Sequence, residues 1–186
     1  MPAKKRIISA SLCFALLIGM YATTSATTSS AGPVPDIAGV MQEDYMKEVE
    51  DTLKGYIRME GIDTTNLSMS QPMPIDGADS ENMRMIFLFR DKKCIGLMSI
   101  AYVDNEYASG FVARDYDPIT DAFNKNQSIA LVSGDYYMVM FTDDDWSFVS
   151  GLEDSVDETA LNKTGNSYER QVLSLTPIVF SDEEAM

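Results

Sequence analysis

The chain has 186 residues, with 14 Lys or Arg against 29 Asp or Glu, a net charge of −15 at pH 7, and no His at all. So acidic a surface repels phosphates and anionic lipid headgroups, which excludes nucleic-acid binding. Without His, the usual neutral-pH base and nitrogen ligand is missing, which removes Ser-His-Asp and Cys-His hydrolysis, the HExxH metalloenzymes and most catalytic zinc and iron sites.

Lys4, Lys5 and Arg6 are followed by an almost wholly apolar or small stretch from Ile7 to Ala22 and then by "TTSATTSSAG". That order of basic, apolar and small residues predicts a secretory signal peptide over 1–26, cut after Ala26, with Thr24 and Ala26 at the two positions that must be small. A cut after Ala31 is the alternative site. The competing reading, a retained anchor, is disfavoured because the apolar stretch falls short of the ~20 residues that span a bilayer. The expected location is therefore secreted or cell-surface, with no membrane association after cleavage. Three of the basic residues and none of the acidic ones precede the cut, so the mature chain holds 11 bases against 29 acids, a net −18. Charge of that kind speaks first to solubility. Cys13 is lost with the signal segment and Cys94 alone remains, so no intramolecular disulfide can form.

A flexible leader over 27–35 precedes a single domain over 36–186, long enough for one real core. Asp36 is placed to cap a helix in which Ile37, Val40, Met41, Tyr45, Met46, Val49, Leu53, Tyr56 and Ile57 recur at three- and four-residue intervals, and Gly61 stops it. "NLSMSQPMPI" alternates weakly and carries Pro72 and Pro74, which predicts an edge strand if it pairs. "NMRMIFLFR", "CIGLMSIAYV" and "YASGFVA", joined by "DKK" and "DNE", predict an antiparallel meander. "DPITDAFNKNQ" predicts a short helix capped by Asp117 with Pro118 at its first position. "SIALVS", "YYMVMFT" and "WSFVS" predict three more strands, the first two joined by a Gly134-Asp135 turn. The acidic stretch 152–167 is a loop or weak helix, and "RQVLSLTPIVF" a last strand. The expected fold is α+β: a single antiparallel sheet of about seven to eight strands packed by one long N-terminal helix and one short helix.

Candidate chemistry is sparse. No Ser stands three residues before any mature-chain Lys, so a Ser-x-x-Lys acylating pair is absent, as are Gly-rich phosphate loops. Cys94 opens a strand where a small apolar residue is expected, which makes it structural rather than nucleophilic despite Lys92 and Lys93 beside it. Met69, Met73, Met83, Met85, Met98, Met138 and Met140 fall in predicted strands, and the pairs 83/85 and 138/140 share a face as core residues do. Asp143, Asp144 and Asp145 are the candidate metal ligands, but consecutive side chains diverge whereas calcium loops space their acids with a glycine turn. A solvated turn is the expectation, with Trp146 packing at the sheet's end.

No catalytic residue, cofactor or metal is therefore assigned, and no enzyme is expected, the exception being a carboxylate-based hydrolase. The expected function is a secreted, non-catalytic interaction module binding a protein or peptide partner, of inhibitor or pro-region type. The alternative is an extracellular small-molecule-binding or sensing domain with a pocket between the long helix and the sheet.

Overall fold

A computed structural model describes residues 42–77, 83–103, 106–164 and 167–180. The expected signal segment and leader, the expected Asp36 cap and the start of the expected helix lie outside them. Helix α1 runs Gln42–Met59. Val49, Leu53 and Ile57, four residues apart, form its fully buried stripe, with Met46 and Tyr56 packed alongside. A Schellman cap ends it: Gly61, at φ +63°, donates to the Arg58 carbonyl at 3.2 Å, and Ile62 donates to the Ile57 carbonyl at 2.9 Å.

The strands are β1 (Leu67–Ser70), β2 (Met73–Gly77), β3 (Met83–Arg90), β4 (Lys93–Val103) and β5 (Glu106–Ala113), then helix α2 (Asp117–Asn124). β6 (Ser128–Ser133), β7 (Tyr137–Phe141) and β8 (Trp146–Gly151) follow. A 3-10 turn (Glu153–Ser155), helix α3 (Glu158–Thr164), β9 (Gln171–Val172) and β10 (Leu175–Pro177) complete the order. β3, β4 and β5 form the antiparallel meander, and β6, β7 and β8 a second.

The sheet is mixed, which corrects the expectation of a purely antiparallel one: β2 runs parallel to β6 over Ile75↔Leu131, Asp76↔Val132 and Gly77↔Ser133. The connection between them holds β3, β4, β5 and α2, the long crossover that parallel neighbours require. Local alternation reveals which face a residue takes, not which strand lies beside it. One signal was present in "SIALVS", whose run Ile129–Val132 is buried on both faces, as strands with parallel neighbours are.

The proline-bearing segment is likewise not at an edge. β1 lies between β3 and β10, and β2 between β3 and β6. Pro74 is the last β2 residue paired with β3, and Ile75 the first paired with β6, so the residue without an N–H sits where the strand changes partner. Between β1 and β2 the ladder is interrupted and side chains complete it. The Ser70 hydroxyl accepts the Phe87 N–H at 2.9 Å. The Gln71 carboxamide donates to the Val172 carbonyl at 2.9 Å and accepts the Ser174 N–H at 2.7 Å, which holds β9 and β10 on either side of their own break. The expected last strand is accordingly two short ones, β9 on β6 and β10 on β1.

The curled sheet organises three apolar clusters. Inside the curl, Met73, Met85, Phe87, Phe89, Leu131 and Met138 meet Ile119 and Ala122 of α2, which touches both β4 and β8. On the outer face, Ile86, Leu88, Met98 and Ile100 receive the α1 stripe. Beyond β6–β8, Ala130, Val132, Val139 and Phe141 are covered by Leu161 of α3 and by Tyr168. The strand methionines lie in these clusters: Met73, Met85, Met138 and Met140 are buried inside the curl, Met69 and Met98 beneath α1, and Met83 packs partly buried against the inner cluster.

The cap of α2 also differs from expectation. Tyr116, not Asp117, is the N-cap residue, and no side chain caps the helix. Thr120 anchors the helix start instead. Its hydroxyl donates to the Tyr116 carbonyl at 3.1 Å and accepts the Cys94 N–H at 3.0 Å, tying helix to β4.

Candidate functional site

The three consecutive aspartates form the turn between β7 and β8, and each has a different partner. Asp143 faces Arg170 Nε at 3.7 Å. Asp144 accepts a hydrogen bond from the Gln127 carboxamide at 3.3 Å. Asp145 folds back to accept the Trp146 N–H at 2.8 Å. The Thr142 hydroxyl, accepting the Asp145 N–H at 3.2 Å, and the Thr142 N–H, donating to the Asp145 carbonyl at 2.8 Å, close the turn. Divergence of neighbouring side chains sends the carboxylates apart, and among the described residues no group of three His, Cys, Asp or Glu is gathered around a point. Millimolar calcium is accordingly expected to leave the melting temperature where equal magnesium leaves it. A specific site at a hundredfold excess over Kd would add ~2.7 kcal/mol, several degrees here. Such a rise, abolished by Asp144→Asn, would restore the aspartates as ligands.

Cys94 is fully buried inside the curl, its thiol directed at the Gly96 carbonyl at 3.6 Å. Burial pushes its pKa from 9.0 up to about 12, the contact with Gly96 opposing the shift. Because the folded-state value is raised, the stabilisation it reflects is present below about pH 9 and is lost as pH rises toward 12. Native protein at pH 8 should therefore react with a thiol reagent far more slowly than unfolded protein. Equal rates would show an accessible thiolate.

The surface feature that the sequence left unnoticed lies at the opposite end of β7. Gly134 donates to the Tyr137 carbonyl at 2.9 Å, so the loop between β6 and β7 is Asp135-Tyr136, one residue later than the expected Gly134-Asp135. The physical reason is packing: a Cβ on Gly134 would lie 2.5 Å from the Tyr137 ring, so glycine is what lets that ring lie across the ladder. Tyr136 is left 63% exposed. Its carbonyl accepts the Leu152 N–H at 2.8 Å, which sets Leu152, 58% exposed, beside it on the chain leaving β8. Next to this pair is a surface hollow of about 280 Å³ lined by Gly134, Asp135, Tyr136, Tyr137 and Ser155.

One residue inward, Ser133 and Ser150 both face Met138 across the ladder, and their hydroxyls are buried without a hydrogen-bond partner among the described residues. The end of the sheet thus combines exposed apolar side chains, a concavity and under-satisfied hydroxyls just beneath. Tyr136 and Leu152 could have been suspected from the sequence. Tyr136 and Tyr137 are adjacent and cannot share a strand face, and Leu152 is isolated in an acidic run. Neither known family models nor curated protein sequences match this chain, so its site rests on this geometry.

Proposed function

We propose that the protein is a secreted, non-catalytic interaction module, with residues 36–186 acting as one domain that carries the long and short helices against its sheet. It engages a protein or peptide partner at the end of the sheet around Tyr136 and Leu152. The observation that carries this reading is the exposure of those two large apolar residues, joined through their backbones by the hydrogen bond from Leu152 to Tyr136, with Tyr136 lining the hollow. Contiguous exposed apolar surface marks places where something docks. The hollow, about 280 Å³ at the surface, has room for a side chain of a partner.

The alternative, a small-molecule pocket between the long helix and the sheet, has less support. Val49, Leu53 and Ile57 are fully buried there against Ile86, Leu88, Met98 and Ile100, so the region is filled by the protein's own side chains. Photo-crosslinking tests the reading. With p-benzoylphenylalanine at position 136, protein in its native medium should give adducts of discrete mass, and the same group at the exposed turn residue Asp91 should not. Adducts at neither position, or equally at both, would remove the interaction site. Intact mass of the same material should show a start at Thr27 or Gly32, whereas full-length chain in the membrane fraction would contradict secretion.

A further inference from the structure

From Asn126 to Asn162 the chain contains no Lys or Arg, while Asp135, Asp143, Asp144, Asp145, Glu153, Asp154, Asp157 and Glu158 all fall within it. The overall charge alone speaks to solubility, but its placement adds something. The fold gathers this base-free segment into β6, β7, β8, the 3-10 turn and the first turn of α3, and Arg114 and Arg170 reach it from outside, Arg114 at the Val149 carbonyl of β8 and Arg170 at the Thr142 carbonyl beside the β7–β8 turn. At the β7–β8 turn the acids are engaged by Arg170, by Gln127 and by their own backbone.

The other end of β7 is arranged differently. Asp135 immediately precedes the exposed Tyr136, Glu153 immediately follows the exposed Leu152, and Asp154 comes next; all three acids are exposed. Asp135 lines the hollow together with Tyr136, and the backbone hydrogen bond from Leu152 to Tyr136 brings the chain that carries Glu153 and Asp154 to this end of β7. A cation in the hollow therefore meets the Asp135 carboxylate. The Tyr136 ring at the wall of the hollow offers the face on which a guanidinium or ammonium group is attracted, and Leu152 offers the apolar rest for the residue beside it.

We propose that this end of the sheet binds a basic peptide segment, one Arg or Lys side chain lying in the hollow against Tyr136 and an adjacent apolar side chain resting on Leu152. The proposal rests on the reading of the protein as an interaction module and names the chemistry of its partner. It requires both parts: acids alone hold any cation loosely and are screened within ~10 Å at ordinary salt, and an exposed Tyr-Leu pair alone has no preference for a base.

Fluorescence anisotropy with three labelled dodecapeptides tests it, using the isolated protein: repeats of Arg-Leu-Gly, of Gln-Leu-Gly and of Arg-Ser-Gly. The Arg-Leu-Gly peptide should bind, and the other two should bind about tenfold more weakly or worse, a loss of about 1.4 kcal/mol each. Tyr136→Ser and Leu152→Ser should each weaken the Arg-Leu-Gly complex by a similar factor, while Asp143→Asn with Asp144→Asn, at the far end of β7, should leave it within about twofold. Raising NaCl from about 50 to about 300 mM should weaken it further. Variant melting curves matching the parent confirm folding, since both substituted side chains are exposed. Equal binding of the Gln-Leu-Gly peptide, absence of Arg-Leu-Gly binding at low salt, or loss caused by the Asp143/Asp144 pair and not by Tyr136→Ser would each overturn the proposal. If position 136 crosslinks to a partner and the peptides fail in one of these ways, the basic chemistry falls while the interaction module stands. If the peptides behave as expected but no adduct forms at 136, the site is real and its use in the native medium is what fails.

Discussion

Gly77→Ala should destabilise the protein by an amount of order 3 kcal/mol, whereas Gly55→Ala should stabilise it. Gly77 closes β2 at φ +122°, a backbone conformation that costs a non-glycine residue roughly 1–3 kcal/mol. A Cβ there would also fall well inside contact distance of the Ser133 carbonyl oxygen, its partner in the parallel pairing. Because the obstacle is backbone and not the end of a flexible side chain, the two strands must separate, and the end of the parallel ladder goes with them. Gly55 is the internal control. It lies within α1, and nothing stands within 4 Å of where its Cβ would be. There the replacement recovers the ~0.5–1 kcal/mol that a mid-helix glycine forgoes. Urea midpoints at unchanged slope measure both. Opposite signs are the expected result, and a Gly77→Ala midpoint within error of the parent would mean that the β2–β6 pairing does not close the sheet.

That pairing is also what the sequence conceals. Strands β3 to β8 were legible because runs such as Met83–Arg90 and Ser128–Ser133 are bounded by polar turns, and burial imposes a period on each strand separately. Which strand lies beside which is decided by contacts remote along the chain. Pro72 and Pro74 pointed to an edge because a proline breaks a ladder, but a strand that changes partner at Pro74 needs no N–H there. The same limit divided the expected last strand at Leu173 and Ser174, whose place is fixed by Gln71, a hundred residues earlier. At the surface, the Asp143–Asp145 turn was legible from turn chemistry, since Asp bonds nearby backbone groups wherever it sits. Tyr136 and Leu152 could each be suspected of exposure, but their proximity was not legible, because it depends on how β7 and β8 pair, and on a Gly134 that serves the Tyr137 ring and not the turn.

Leu53→Ala should cost ~2–5 kcal/mol, the sum of lost transfer free energy and of the cavity left beneath α1. Leu53 is fully buried at the middle of the helix stripe, against residues on the outer face of β3. The proper exposed control is Lys47→Ala, within about half a kcal/mol of the parent. Lys54 does not serve, because its side chain is only 12% exposed, pairs with Glu50 at 2.9 Å and lies over the Phe180 ring at 5.7 Å. The layered arrangement makes a sharper demand. β3 is buried on both faces, Ile86 and Leu88 facing α1 and Met85, Phe87 and Phe89 facing the inside of the curl. Leu53→Ala combined with Phe87→Leu touches two clusters separated by the sheet, so the costs should add within ~0.5 kcal/mol. Combined with Leu88→Val, in the same cluster as Leu53, it should depart from additivity by ~0.5 kcal/mol or more, since one cavity relaxes into the other. Conservative partners at positions 87 and 88 keep each double variant folded, given that the whole domain is stabilised by only ~5–15 kcal/mol. Coupling of Leu53 to Phe87 as strong as to Leu88 would mean that the sheet does not separate the two clusters, and that α1 and the curl interior form one continuous core.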